Sequence, residues 1–443
     1  GSNTAIGNQT LYYNTTGANN TAVGASALVL NTTGTRNTAV GGASGSQTTT
    51  GNYNSFFGYD AGESNTTASS NTAVGDSSLR ETTTGASNTA VGQSALLLNT
   101  TGTRNVAVGD LALDANTTAA DNTAVGSSAL SANTTGTRNT SVGASSGALI
   151  TTGNYNTVLG WTAGAAITTA DDNVLLGPAS GAGITTGASN VAVGRSSLYA
   201  NTTASNNTAV GHNAMLANTT GTSNVAVGAY ALDANSTGDF NTGIGYGALS
   251  TVTTADNNTA VGYLALEDNS SGTGNTAVGA SALLQHSTGN YNTAVGAWSL
   301  DANTTAANNT GIGYGALSAV VTSSDNVAVG YLALEDNTAA NNTAVGSNAL
   351  LQNTTGAANV AVGRNALDAN TTGGNNTALG DSSLSANTTA DNNTGIGKNA
   401  LLVNSTGAYN TAIGYQALDA NTTADYNVAV GAESLSANTT GTL

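Results

Sequence analysis

The amino-acid sequence predicts an all-β chain, a parallel β-solenoid, on three observations. A block of the form Asn20-Thr21-Ala22-Val23-Gly24 recurs at a fixed interval from one end of the chain to the other. Valine, leucine and isoleucine return at fixed places between these blocks, which a disordered low-complexity tract does not require. Glycine occurs 57 times and proline once, and no apolar pattern of helical period survives the glycine and asparagine interruptions.

The opening Asn stands at Asn3, Asn20 and Asn37 and continues in steps of 17 to Asn326. One 16-residue step then leads to Asn342, and the 17-residue spacing resumes to Asn427, giving 26 units. Self-similarity at so short a period overrides the two or three globular domains that 443 residues would otherwise suggest. Residues 1–443 are therefore expected to form a single continuous β-solenoid with no separate domains, its one shortened unit at residues 326–341. Blocks of four units are also duplicated: Asn241–Leu266 is echoed by Asn309–Leu334, and the shortened unit follows in the second copy. One residue should thus be removable at a corner without loss of phase.

Counted from its Asn, the typical unit reads N-T-A-V-G-x-x-A-L-x-x-N-T-T-G-x-x, as in Asn88–Arg104. Its β-branched start should form a short strand paired in parallel with the next, about 4.8 Å away. Position 1 is always Asn, as at Asn20, Asn37, Asn88 and Asn122, and should form a side-chain ladder that also satisfies corner backbone groups. Position 5 is always Gly, as at Gly24, Gly41, Gly92 and Gly126, and should need a positive φ or a contact that leaves no room for Cβ. Position 15 mixes Gly17 and Gly34 with Ala68, Ala119 and Ala170, so that corner should not demand glycine.

Position 4 (Val, Ile, Leu or Phe) and position 9 (usually Leu) are the expected interior rows. Where position 9 becomes Gly147, Gly164 and Gly181, position 12 changes from Asn to Ile150, Ile167 and Ile184. Where Gly62 replaces Leu, Phe56 and Phe57 enter the strand, so volume lost at one inward place is replaced at another. Gly45 shows no such replacement within its own unit. The small residues at positions 3 and 8 are read as a surface that meets other chains, since alternation sets position 3 opposite position 4.

A net charge of −17, from 24 acidic and 7 basic residues, argues against nucleic acid and anionic membranes as partners. Cysteine is absent, which excludes disulfides and thiolate metal sites. No run of about 20 apolar residues and no signal-peptide pattern is present, so this segment is expected neither to insert into a membrane nor to carry its own address. Catalysis is not expected: His212 and His286 lie more than four units apart, Lys398 is the only lysine, and no nucleophile motif occurs. The position-10 acids Asp114, Asp233, Glu267, Asp301, Glu335, Asp368 and Asp419 read as a solvated face, and no metal or cofactor site is expected.

Two further rows carry recognisable chemistry. Asn14, Asn31, Asn99, Asn133, Asn218, Asn370 and Asn421 open N-x-[ST] sequons at position 12 and are candidate glycosylation sites; the competing reading is a second Asn ladder, partly buried because Ile150, Val252 and Val320 replace it. Tyr59, Trp161, Tyr246, Tyr263, Tyr314, Tyr331 and Tyr415 recur at position 6, on a corner, and are candidate sugar-contact residues.

The blocks Val106-Ala107-Val108-Gly109, Val191-Ala192-Val193-Gly194 and Val360-Ala361-Val362-Gly363, each after Asn and before two variable residues and a small one, resemble the head repeats of trimeric autotransporter adhesins. They are also similar to repeats of phage tail fibres and haemagglutinin-like proteins. The resemblance covers every unit and implies a parallel β-roll with left-handed coiling, three chains around a common axis, and adhesion at a cell surface. The expected function is that of a non-enzymatic extracellular protein, the rigid shaft or head of a surface adhesin or fibre. A self-assembling, glycan-bearing matrix filament and a phage tail-fibre shaft are the alternatives. Expected partners are copies of the chain, as a homotrimer or an end-to-end fibre, and host or environmental glycans or matrix.

Overall fold

A computed structural model of the chain describes residues 1–441. It is an all-β solenoid of 26 three-residue strands, each followed by two tight corners. Two compact units divide the chain. The first, Gly1–Ser223, carries β1 (Thr4–Ile6) to β13 (Thr208–Val210), and the second, beginning at Asn224, carries β14 (Val225–Val227) to β26 (Val428–Val430).

Within each unit every strand pairs in parallel with the one a repeat later. Thr21, Ala22 and Val23 face Thr38, Ala39 and Val40 in the first unit, and Thr259, Ala260 and Val261 face Thr276, Ala277 and Val278 in the second. The shortened repeat keeps this phase: Val327 pairs with Thr343, and Asn342 donates its backbone N–H to Asn326 Oδ1 at 2.9 Å across 16 residues. The corner absorbs the deletion, as its sequence suggested.

Buried side chains come from positions 1, 3, 8, 9, 12 and 15 of the repeat. Ala22, Ala39 and Ala73 (position 3), Ala27 and Ala95 (position 8) and Leu28 and Leu96 (position 9) are fully buried, as are Asn31 and Asn99 at position 12. Position 4 points the other way, with Val74, Val91, Ile244 and Leu379 exposed. This reverses two expectations: position 4 is not an interior row, and the small residues at positions 3 and 8 are not a surface for other chains. A 17-residue turn encloses little space, the position-9 leucine occupies most of it, and only a methyl group fits opposite. Valine goes outside, where a half-buried pleated surface suits a β-branched side chain.

Positive φ is spread more widely than the glycines suggest. The invariant position-5 glycines adopt it, at 136° for Gly24 and 135° for Gly92, and a Cβ on Gly92 would lie 2.4 Å from the Gly109 carbonyl oxygen. Positions 7, 9 and 17 adopt it with ordinary side chains, at 58° for Ser26, 50° for Leu28 and 59° for Arg36. An L-residue pays about 1–2 kcal/mol in this region. Where position 9 gives up its large side chain, that cost favours glycine, with φ of 60° at Gly45, 61° at Gly62 and 55° at Gly147, while Met215 keeps both the volume and the φ of a leucine.

The volume lost at those glycines is refilled from a neighbouring strand as well as from the same turn. Phe56, an inward position-3 side chain, serves two turns: a Cβ on Gly45 would lie 2.8 Å from its Cδ2, and one on Gly62 would lie 2.6 Å from its Cε1. Leu175 does the same for Gly164 and Gly181, where an added Cβ would lie 2.8 Å from one of its methyl groups in each case, with Ile167 and Ile184 completing the fill. Gly45, unexplained within its own repeat, is thus explained by the next one.

Candidate functional site

The most regular chemistry in the chain is the pair of asparagine columns. At position 1 each Asn accepts the backbone N–H of the next at its Oδ1, as from Asn37 to Asn20 at 2.9 Å, from Asn105 to Asn88 at 3.0 Å and from Asn139 to Asn122 at 2.9 Å. Its Nδ2 donates across the coil to the position-15 carbonyl, 2.9 Å from Asn20 to Gly34. The position-12 column reaches the same acceptor: Asn31 Nδ2 donates to Gly34 O at 3.1 Å and to Asn14 Oδ1 at 2.8 Å. A single carbonyl therefore ties strand, corner and neighbouring turn together, which requires no glycine at position 15.

In the folded coil the sequon asparagines belong to the second ladder. Asn31, Asn99, Asn133, Asn218, Asn370 and Asn421 are wholly buried, and each Nδ2 already donates to backbone, for example Asn218 to Gly221 O at 2.9 Å and Asn421 to Ala424 O at 3.1 Å. Asn14 is half-buried and donates to Gly17 O at 3.1 Å. Glycosylation needs the amide nitrogen accessible, and in the folded coil the six buried asparagines hold theirs inside the ladder.

The position-10 acids, read from the sequence as a solvated face, are half-buried. Burial pushes the carboxyls of Asp114, Asp233, Asp301 and Asp368 above the ordinary aspartate range, against the opposing pull of nearby backbone N–H groups. Glu267 and Glu335 rise through burial and then through the adjacent Asp268 and Asp336. Elsewhere the few cations pair along the coil: Arg104 reaches Asp121 at 2.6 Å and Arg364 reaches Asp381 at 3.0 Å, holding both carboxyls below their usual range.

His286 takes the place of Asn in the position-12 column. It is wholly buried, its Nε2 lies 2.7 Å from the Gly289 carbonyl, and burial pulls its pKa down. His212 lies in the other compact unit. No cavity occurs among the described residues, and no group of three His, Cys, Asp or Glu among them is placed to hold a metal. No helix among them is long and apolar enough to cross a membrane.

All seven position-6 aromatics are exposed, from 45 % at Tyr314 to 65 % at Trp161. The fold brings four of them into pairs: Tyr246 stacks on Tyr263 with centroids 5.8 Å apart, and Tyr314 on Tyr331 at 5.6 Å, both with rings 16° from parallel. Tyr59, Trp161 and Tyr415 make no ring pair among the described residues. Each stacked pair is extended by a position-7 ring that reading position 6 alone missed, Tyr230 edge-on to Tyr246 and Trp298 edge-on to Tyr314. Tyr409 and Tyr426, at position 17, form a further stack.

The chain matches no protein-family model and no curated protein. What distinguishes it is the outward face of the strands. Positions 2 and 4 carry only Thr, Ser, Val, Ile, Leu and Phe in all 26 strands, without one charge. Val91, Val142 and Leu159 in the first compact unit, and Val278, Val295 and Ile413 in the second, are each more than a third exposed.

Proposed function

We propose that this chain is a non-enzymatic structural protein, the shaft or head of an extracellular adhesin or fibre, and that copies of it associate through the outward strand face. The observation that carries this reading is the uncharged face itself. A chain of net charge −17 keeps every charge off positions 2 and 4 of 26 successive strands while leaving valines and isoleucines there in contact with water. Apolar surface repeated without interruption marks an interaction site, because scattered exposed residues need no such regularity. The resemblance of the V-A-V-G blocks to adhesin head repeats supports three chains and a cell-surface location. The surface offered is the Thr/Val face, since the small-residue rows are buried inside the coil.

Light scattering under native conditions tests this directly. A mass three times that of the denatured chain is expected, falling to the single-chain value when Val91, Val108 and Val125 are all replaced by lysine. These outward positions should accept lysine without loss of the β-sheet circular dichroism signal. A single-chain mass for the unaltered protein overturns the association. Growth without limit overturns the trimer in favour of a matrix filament.

A further inference from the structure

We propose that the two aromatic triads of the second compact unit, Tyr230–Tyr246–Tyr263 and Trp298–Tyr314–Tyr331, are twin binding sites for an uncharged polysaccharide. The proposal goes beyond the structural role and does not depend on whether chains associate.

The triads are copies in geometry as well as in sequence. In each, a position-7 ring stands edge-on to a position-6 ring, at 5.8 Å and 73° in the first and 5.2 Å and 87° in the second. The next position-6 ring stacks on that middle ring, 16° from parallel in both. Beside the middle ring lies a glycine with positive φ, Gly247 at 63° and Gly315 at 61°. A Cβ there would come within 2.6 Å of Leu264 Cδ2 and 2.7 Å of Leu332 Cδ2, so the glycine admits the leucine of the following turn. Backbone bonds from Leu264 to Tyr246 O and from Leu332 to Tyr314 O, both 3.0 Å, fix the spacing of the rings. In the turn that follows, position 6 shrinks to Ala280 and Ser347, so no ring continues the stack beyond Tyr263 and Tyr331.

The chemistry offered selects the ligand. Tyr246, Tyr263, Tyr314 and Tyr331 remain about half exposed, and the position-6 and position-7 residues of the flanking turns, Ala280, Ser281, Ser347 and Asn348, are small or neutral. A buried apolar segment of a protein partner would require a groove, and no cavity is present among the described residues. A polyanion would meet an acidic chain. A pyranose presents an apolar C–H face framed by hydroxyls, which matches a ring surface carrying a phenol and bordered by Ser and Asn. The triads lie four repeats apart, about 19 Å at the usual strand spacing. A regular polymer can engage both at once, which a free monosaccharide cannot.

Trp298 supplies the reporter, because Trp161 is the only other tryptophan. In a Trp161→Phe background, cellotriose, xylotriose, maltotriose and chitotriose are titrated against the full chain while Trp298 fluorescence is followed. A saturable change with at least one of them is expected, lost in Tyr314→Ala/Tyr331→Ala with unchanged circular dichroism. Removing the first triad, by Tyr246→Ala/Tyr263→Ala, should leave that trisaccharide titration intact yet weaken binding of the corresponding polymer at least about tenfold. No saturable change with any of the four, or a change that survives Tyr314→Ala/Tyr331→Ala, overturns the proposal. Native mass measured on the same samples reports separately on self-association.

Discussion

Each break in the position-12 asparagine column leaves a trace in the residue before it. Asn31 precedes Thr48, Asn65 precedes Thr82 and Asn133 precedes Ile150, and in all three the buried Oδ1 has no partner. Before Val320, by contrast, Asn303 has turned its Oδ1 to accept the Ala306 N–H at 3.0 Å. Thr82 is the break easiest to repair, because Leu79 of the same turn is an ordinary core leucine and no volume compensation is involved. Thr82→Asn should donate to Asn65 Oδ1, accept from Asn99, and raise stability by about 1 kcal/mol in urea unfolding. The invariant residues were legible in the sequence because one physical demand falls on each of them, a ladder bond at position 1 and a backbone contact without Cβ at position 5. Left-handed backbone at Ser26, Leu28 and Arg36 was not legible, because these side chains tolerate it without advertising it. Only Gly45, Gly147 and their counterparts hinted at it.

Strands of three residues resolve the inside of the coil less clearly than their spacing does. Alternation requires Ala22 and Val23 to face opposite ways, but it does not say which faces in. Apolar size pointed to the valine, whereas the limited space beneath Leu28 decides for the alanine. Phe56 gives the rule its clearest test, since one ring fills the space of two missing leucines. Phe56→Ala alone should cost about 3–5 kcal/mol. Adding Gly45→Leu and Gly62→Leu should recover most of that loss, because both backbones already hold the φ that Leu28 and Leu79 adopt in the same place. Thermal unfolding of the single and triple variants would show it; a triple variant no more stable than Phe56→Ala would mean that the packing of these turns is not interchangeable. For the aromatics, the position-6 recurrence was visible in sequence. Their grouping into triads was not, since it depends on position-7 side chains reaching toward the following turn.

For the whole chain, the buried titratable groups pull stability in opposite directions with pH. His286 has its pKa depressed by burial, so its folded form prefers to be neutral. Its contribution is complete above the ordinary histidine value near 6.5 and is lost as pH falls below it. Asp114, Asp233, Asp301 and Asp368 are raised by burial, so their folded forms prefer the proton. They weaken the fold at neutral pH, and this weakening is relieved as pH falls through their raised values toward the unfolded one. Melting temperature should therefore drop as pH falls below about 6.5, and the drop should vanish in His286→Asn, which restores the ladder residue. Replacing the four aspartates with serine, already present at Ser131 and Ser385, should raise the melting temperature at pH 7 and leave it unchanged near pH 4. An acid-side drop that persists in His286→Asn would place the sensitivity elsewhere.

The two asparagine columns also set how this protein ages. Asparagine slowly hydrolyses to aspartate, and it counts among the thermally labile residues for that reason. Inside a column the product is doubly unfit: it loses the Nδ2 that binds the position-15 carbonyl and brings a charge to a site with no cation. A turn that opens long enough to be damaged cannot close again as it was, while its intact neighbours keep their amides bonded and shielded. The lesion is thus confined to the turn that frayed, and the lifetime of the protein is governed by how seldom any one turn opens.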